Sequence, residues 1–229
     1  MELYKSKAGI YHDWMKLMGK DYKKEAKALA KLIRSRISKE EIKIFDLACG
    51  TGEHAWQLKG EGFDVSCGDL SEEMVSIASK KLSSCIKADM RNFKLKKKAD
   101  VITCTFNSIF YLKNDKELSS MLQSCYNNLG KHGLLIIEIT NPEILNKPTK
   151  ARNSWQLKDC EIIMESELRP PKLIQEFIIK DSKGNTIKDI HKLHVFKIDK
   201  IKESMEKSRF IEIEISGGNN LHILARKPA

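Results

Sequence analysis

From about residue 44 to residue 140, short apolar runs ending in small or acidic residues take turns with amphipathic stretches. "KIFDLACG", "FDVSCGD", "CIKAD", "ADVITCTFNS" and "LLIIEIT" read as five strands. "EHAWQLKGEG", "SEEMVSIASKKL" (with Ser71 as N-cap) and "NDKELSSMLQSCYNNLGKHG" read as helices, the last closing in a glycine-rich turn. Strand and helix in alternation specify a mostly parallel, doubly wound sheet with right-handed crossovers. Ahead of it, "DYKKEAKALAKLIRSRI" puts Ala26, Leu29, Ala30, Leu32 and Ile33 at helical spacing with lysines on the far side. After "NPEILNKP" the segments "SWQLKDCEIIMESEL", "KLIQEFIIKD" and "IKDIHKLHVFKI" read as strand-like, with turns expected at "RPPK" and "DSKGN". "DKIKESMEKS" reads as a last helix, and "RFIEIEIS" and "LHILARK" as final strands around Gly217 and Gly218. The expectation is one Rossmann-like α/β domain. It has a helical segment over residues 1–40, a core over 41–141, an antiparallel β insertion over 151–196, and the last helix and strands over 197–229.

Composition narrows the function classes. No run approaches the roughly 18 apolar residues of a membrane span, and "MELYKSKAGIYHDW" carries charges where a signal peptide needs its apolar stretch. A cytoplasmic protein is expected. Cys49, Cys67, Cys85, Cys104, Cys125 and Cys160 are scattered with no CxxC pair, which suits free thiols and offers no zinc or cluster pattern, so no metal is expected. The net charge of +10 is spread along the chain, and its densest run, "KLKKK" at Lys94–Lys98, has no interleaved aromatics. A solvated lysine-rich surface fits this better than a nucleic-acid footprint, with an RNA substrate left open.

The turn "IFDLACGTGEHA" is the place for a ligand, because open parallel sheets bind beyond the carboxyl ends of their strands. It has Gly50 and Gly52, but Glu53, His54 and Ala55 follow where a dinucleotide fingerprint needs a third glycine. Glu53 beside a pyrophosphate would set like charges together, which disfavours NAD and FAD. Asp46 precedes the turn, Asp69 ends the second strand and Asp89 ends the third. Asp69 stands at the distance from the turn where a carboxylate accepts from ribose hydroxyls, and Asp89 could take an adenine amine. Capping of the next helices is the structural alternative for both.

"DLACGTG", "CGDLSEEMV", "IKADMRNF" and "ADVITCTFNSIFYL" together resemble, in order and spacing, the motifs of class I S-adenosylmethionine-dependent methyltransferases. "YHDWMKLMGKDYKKEAKAL" and "TCTFNSIFYL" are similar in texture to the small-molecule N-methyltransferases, nearest to nucleotide-aminosugar N,N-dimethyltransferases and further from glycine and sarcosine methyltransferases. The resemblance implies S-adenosyl-L-methionine as cofactor, with S-adenosyl-L-homocysteine as product. It implies that Asp46 belongs to the cofactor site and that Ala48, Gly50 and Gly52 let backbone approach the cofactor, Ala48 departing from the usual glycine there. Asp69 would bind the ribose, Leu70 would pack on the adenine, and Asp89 and Met90 would hold the adenine edge. Phe106 would begin the wall nearest the methyl group, and Tyr22 would lie near the methionine moiety. The N-terminal segment and the inserted strands would act as lids. Tyr11, Tyr111 and His191 are the candidate catalytic residues, Tyr111 standing where some relatives have histidine. Trp14 is open between a site aromatic and a packing residue, His12 and His54 are taken as surface or cofactor-adjacent, and Asn107, Ser108 and Glu138 as polar groups near the mouth. His191 and His194, three apart in a strand, face opposite sides and form no dyad.

The expected activity is in-line methyl transfer to a small-molecule acceptor, an amine nitrogen in the first instance, by positioning rather than metal or covalent catalysis. Two rivals stand beside it: a methyltransferase acting on RNA or a protein side chain, and a catalytically silent cofactor-binding module. A homodimer through the inserted strands is compatible with all three.

Overall fold

The continuous apolar runs are strands covered on both faces. In β1 (Lys43–Leu47), Ile44 packs to one side and Phe45 to the other, as do Val101 and Ile102 in β4 (Ala99–Cys104) and Leu134 and Leu135 in β5 (Leu129–Thr140). The computed structural model, which describes residues 1–229, joins these to β2 (Asp64–Asp69) and β3 (Cys85–Lys87) in parallel. β11 (Asn220–Arg226) runs antiparallel to β5, and β10 (Ile211–Gly217) antiparallel to β11, completing a seven-stranded sheet in the order β10-β11-β5-β4-β1-β2-β3. The chain builds outward from β1 to β3, then returns to the other side of β1. The crevice at the carboxyl ends of β1 and β4 is therefore the switch point.

Helices α2 (Tyr22–Arg36) and α3 (Glu53–Gly60) cover the face bearing Ile44. α5 (Asp115–Asn128) and α6 (Ile198–Lys207) cover the face bearing Phe45, and α4 (Glu72–Ala78) lies beside β2 and β3. Asp21, Ser71 and Asn114 accept from Lys24, Met74 and Glu117 backbone N–H groups and so start α2, α4 and α5. No helix is long and apolar enough to cross a membrane.

β6 (Thr149–Gln156), β7 (Cys160–Arg169), β8 (Lys172–Asp181) and β9 (Thr186–His194) form a separate antiparallel sheet. It receives the N-terminal segment, a 3-10 turn at Glu2–Tyr4 followed by α1 (Ala8–Leu17). Leu3, Trp14 and Met15 pack there against Ile162, Phe177 and Ile179 in a third apolar cluster.

Two expectations on the elements are corrected. "LGKHG" is not a turn: pairing of β5 already begins at Leu129 opposite Ala99, and the extra residues are absorbed by a register shift and a left-handed His132 at φ 59°. "SWQLKDCEIIMESEL" is not one strand either, because the chain reverses between Gln156 and Cys160.

Candidate functional site

One cavity opens at the switch point, between the β1 turn and the N-terminal segment. Ala48, Gly50 and Gly52 are all left-handed, with φ of 57°, 54° and 76°. The turn needs that conformation from three residues in five, and at Ala48 it costs about 1–2 kcal/mol that glycine would not. Gly50 faces the cavity with only Tyr11 near its missing Cβ. Gly52 has a different reason to be glycine and does not line the cavity. A Cβ there would stand 2.8 Å from that of Ala78, so its hydrogen lets α4 approach the turn. That packing is a reason for glycine at this position beside the expected approach of backbone to a ligand.

Asp69 is the wall carboxylate held by backbone amides from two elements. Gly50 N–H donates to its Oδ2 and Ser71 N–H to its Oδ1, both at 2.9 Å. Burial pushes its pKa up, against the pull of those backbone amides. Each oxygen keeps a lone pair for a further donor, which is what a vicinal diol requires. Asp46 is buried with Thr103 Oγ1 donating to it at 2.7 Å, and burial raises its pKa also. Asp89 lines the cavity as expected, and Arg91 grips both its oxygens, with Nη2 at 2.5 Å, and holds its carboxyl below the usual range. Leu70, Met90 and Phe106 lie along the cavity, and Leu70 and Phe106 remain partly exposed there.

The lid side is aromatic. Tyr4, Tyr11 and Tyr22 line the cavity, as does Tyr111 from a 3-10 turn at Ser108–Tyr111. Trp14 does not: it stacks edge-on against Trp155 and Phe177 and ties α1 to the second sheet. His191 is also absent from the wall. It is fully buried behind Tyr111, whose hydroxyl it meets through Nδ1 at 2.8 Å, and it meets Asp189 through Nε2 at 3.0 Å. Asn107 turns away to β5, bonding Thr140, so only Ser108 of that pair borders the cavity. Glu138 sits in an adjoining hollow, and Asn107 N–H donates to its carbonyl.

His54 is no surface residue. It is buried on the cavity wall, with Nε2 2.6 Å from Glu25 and Nδ1 3.2 Å from Thr105 Oγ1. Glu53, nearly buried, pairs with Lys81 and with His12 at 3.3 Å. Sequence reasoning missed Tyr4, Lys20 and Asp189. Lys20 reaches the cavity with its ammonium 4.1 Å from the Phe106 ring and 2.8 Å from Glu25. Of the three, only Asp189 left a signal: "DIH" spaces an acid and a histidine two apart in a strand, hence on one face.

A carboxylate pinned by backbone amides and an aromatic roof make a site for a nucleoside rather than a pyrophosphate. Residues 44–133 match the model of the methyltransferase domain family. The chain carries a methyltransferase domain. It is 35% identical over 133 residues to the dTDP-3-amino-3,4,6-trideoxy-alpha-D-glucopyranose N,N-dimethyltransferase of Streptomyces venezuelae, covering 57% of this chain and 56% of that one. It is 30% identical over 142 residues to a glycine/sarcosine N-methyltransferase of Halorhodospira halochloris, covering 58% of this chain and 52% of that one. The aligned part thus spans about half the length of these curated relatives. The fold likeness extends further: the crystal structure of Streptomyces venezuelae DesVI superposes with a TM-score of 0.83 at 27% identity, over 97% of this chain and 98% of that one. Around the methyltransferase domain, the likeness therefore takes in the N-terminal segment and the antiparallel sheet.

Proposed function

We propose that the protein transfers a methyl group from S-adenosylmethionine to an amine nitrogen of a small molecule. The observation that carries this is the Asp69 carboxylate, pinned by Gly50 and Ser71 N–H groups and facing a cavity roofed by tyrosines. When bound, the cofactor supplies an electrophilic methyl on a sulfonium. Asp69 accepts from the ribose hydroxyls, and Leu70 and Met90 flank the adenine. Asp89 meets the adenine edge with the lone pairs Arg91 leaves it. Tyr22 and Phe106 lie toward the methionine part, where the Lys20 ammonium already stands 4.1 Å from the Phe106 ring. Tyr11 and Tyr111 border the acceptor.

Neither tyrosine is a base at neutral pH, since burial drives both well above their ordinary pKa. The site acts by alignment and by keeping water out, which can supply much of the acceleration of a bimolecular displacement. An amine acceptor is what the sugar and glycine N-methyltransferase relatives name. The lid, the core and the inserted sheet work as one domain in this reading, acting on a small acceptor and not on nucleic acid. Six free thiols suit a reducing compartment, for which we propose the cytoplasm. A homodimer belongs to the same reading, because β6 is a sheet edge exposed along its length.

Calorimetric titration tests it. S-adenosylmethionine and S-adenosylhomocysteine should bind at micromolar concentration and NAD should not. A protein that binds neither sulfur nucleoside ends the proposal.

A further inference from the structure

A buried chain of hydrogen bonds runs from β9 to the cavity. Asp189 Oδ2 accepts the Leu3 N–H at 2.8 Å and meets His191 Nε2 at 3.0 Å. His191 Nδ1 lies 2.8 Å from the Tyr111 hydroxyl, which lies 2.7 Å from the Tyr4 hydroxyl. Only Tyr4 and Tyr111 reach the cavity; Asp189 and His191 are buried behind them. The N-terminal ammonium stands 3.9 Å from the other Asp189 oxygen and is the remaining charge at that end.

The direction of every proton in this chain follows from its buried end. Burial alone would raise the Asp189 pKa, but Leu3 N–H and His191 outweigh it and hold the carboxyl below the usual range, so Asp189 can only accept. His191 must then carry its proton on Nε2. Burial keeps the imidazole pKa below its ordinary value against the pull of Asp189, so the ring is neutral and Nδ1 is bare. The Tyr111 hydroxyl therefore donates to Nδ1, and its oxygen accepts from the Tyr4 hydroxyl. The one proton of Tyr4 is thereby turned toward Tyr111, and what its oxygen offers the cavity is lone pairs.

We propose that Asp189 and His191, acting through Tyr111, set Tyr4 as a fixed hydrogen-bond acceptor for an N–H of the methyl acceptor, leaving that nitrogen's lone pair free to face the methyl group. Asp189 and His191 are positioning residues; Tyr4 touches the substrate. This deepens the methyl-transfer proposal and rests on it. The device discriminates by chemistry: the Tyr4 oxygen, with the Tyr11 hydroxyl as its protein neighbour in the cavity, favours an acceptor that carries a donor hydrogen beside its nucleophilic atom over one that does not.

Two measurements test it, neither needing the acceptor. In protein labelled with 15N-histidine, long-range proton–nitrogen spectra read the tautomer of each ring. His191, identified by loss of its signals in His191→Phe, should be the Nε2–H tautomer at neutral pH. If that variant does not fold, the perturbation of one ring in Tyr111→Phe identifies it instead. A proton on Nδ1, or an imidazolium, overturns the inference. The second probe is sinefungin, which carries a primary amine where the cofactor carries its methyl-bearing sulfonium. Its affinity relative to S-adenosylhomocysteine should fall about tenfold or more in Tyr4→Phe, the scale of a lost charge-assisted hydrogen bond. The ratio should fall in the same direction in Asp189→Asn. A ratio unmoved by either substitution overturns the inference while the methyl-transfer proposal stands. Failure of both nucleosides to bind wild-type protein overturns that proposal and the inference with it, whatever the tautomer.

Discussion

Asp69 links the turn to the ligand: it ties Gly50 and Ser71 into place and still has lone pairs to offer. Asp69→Ala should weaken S-adenosylhomocysteine binding by about 1.5–3 kcal/mol, the range for hydrogen bonds to a charged group. Unchanged calorimetric affinity in the folded variant would remove Asp69 from the site. The same titration carries a pH sign. Ribose hydroxyls need the ionised carboxylate, and burial raises its pKa, so affinity should drop as pH falls through a value above that of an ordinary aspartate. In Asp69→Ala this acid-side loss should vanish. Gly52 makes a contrasting case at the same turn. Gly52→Ala combines φ of 76° with a Cβ 2.8 Å from that of Ala78, and should destabilise the protein by about 1–3 kcal/mol in denaturant titration. A loss of binding without a loss of stability would instead mean that Gly52 faces the ligand.

At the scale of elements, α1 is held by the second sheet and not by the sheet it covers. Trp14 wedges between Trp155 and Phe177, and the cluster it belongs to contains no residue of the seven-stranded sheet. Trp14→Ala should cost about 3–5 kcal/mol of docking, spent on local opening of the N-terminal segment. Trypsin should then cut at Lys16 and Lys20 faster than in wild type, and weaker nucleoside binding should accompany it. Equal cleavage rates would show that α1 is held by something other than this wedge. The division of labour explains what the sequence disclosed. The strands of the core, their acid-tipped ends and the Ser71 cap were readable because period and capping chemistry are local. Tyr4 was not, since its place beside Tyr111 spans 107 residues and depends on that docking. The grip of Arg91 on Asp89 was not readable either, because the pattern "ADMRNF" does not show which way the guanidinium folds. Ala48 gave no hint of its φ, because the turn imposes a conformation its residue type disfavours.

At the scale of the molecule, charge is arranged in two signs. The chain carries a net +10, yet Asp46 and Asp69 line the cavity with no cation beside them, Glu53 and Asp89 are held by Lys81 and Arg91, and the one lining lysine, Lys20, is paired with Glu25. Lysines elsewhere raise the potential of the surface, where salt screens it within about 8–10 Å. The acids within act on whatever enters with little such screening. A basic exterior around an acidic pocket suits a ligand whose reacting centre is cationic and which bears no phosphates. It also sets a whole-molecule expectation that needs no substrate. A ligand that binds only the folded state adds about 2.7 kcal/mol at a hundredfold excess over its Kd. For a chain of this size each kcal/mol moves the midpoint by about 2–4 °C, so saturating S-adenosylhomocysteine should raise Tm by about 5–11 °C. NAD, with two phosphates to place beside Glu53 and Asp69, should leave it where it is. Equal shifts from the two ligands would mean that the acids of the cavity do not select, and no shift from S-adenosylhomocysteine would leave the switch point without its nucleoside.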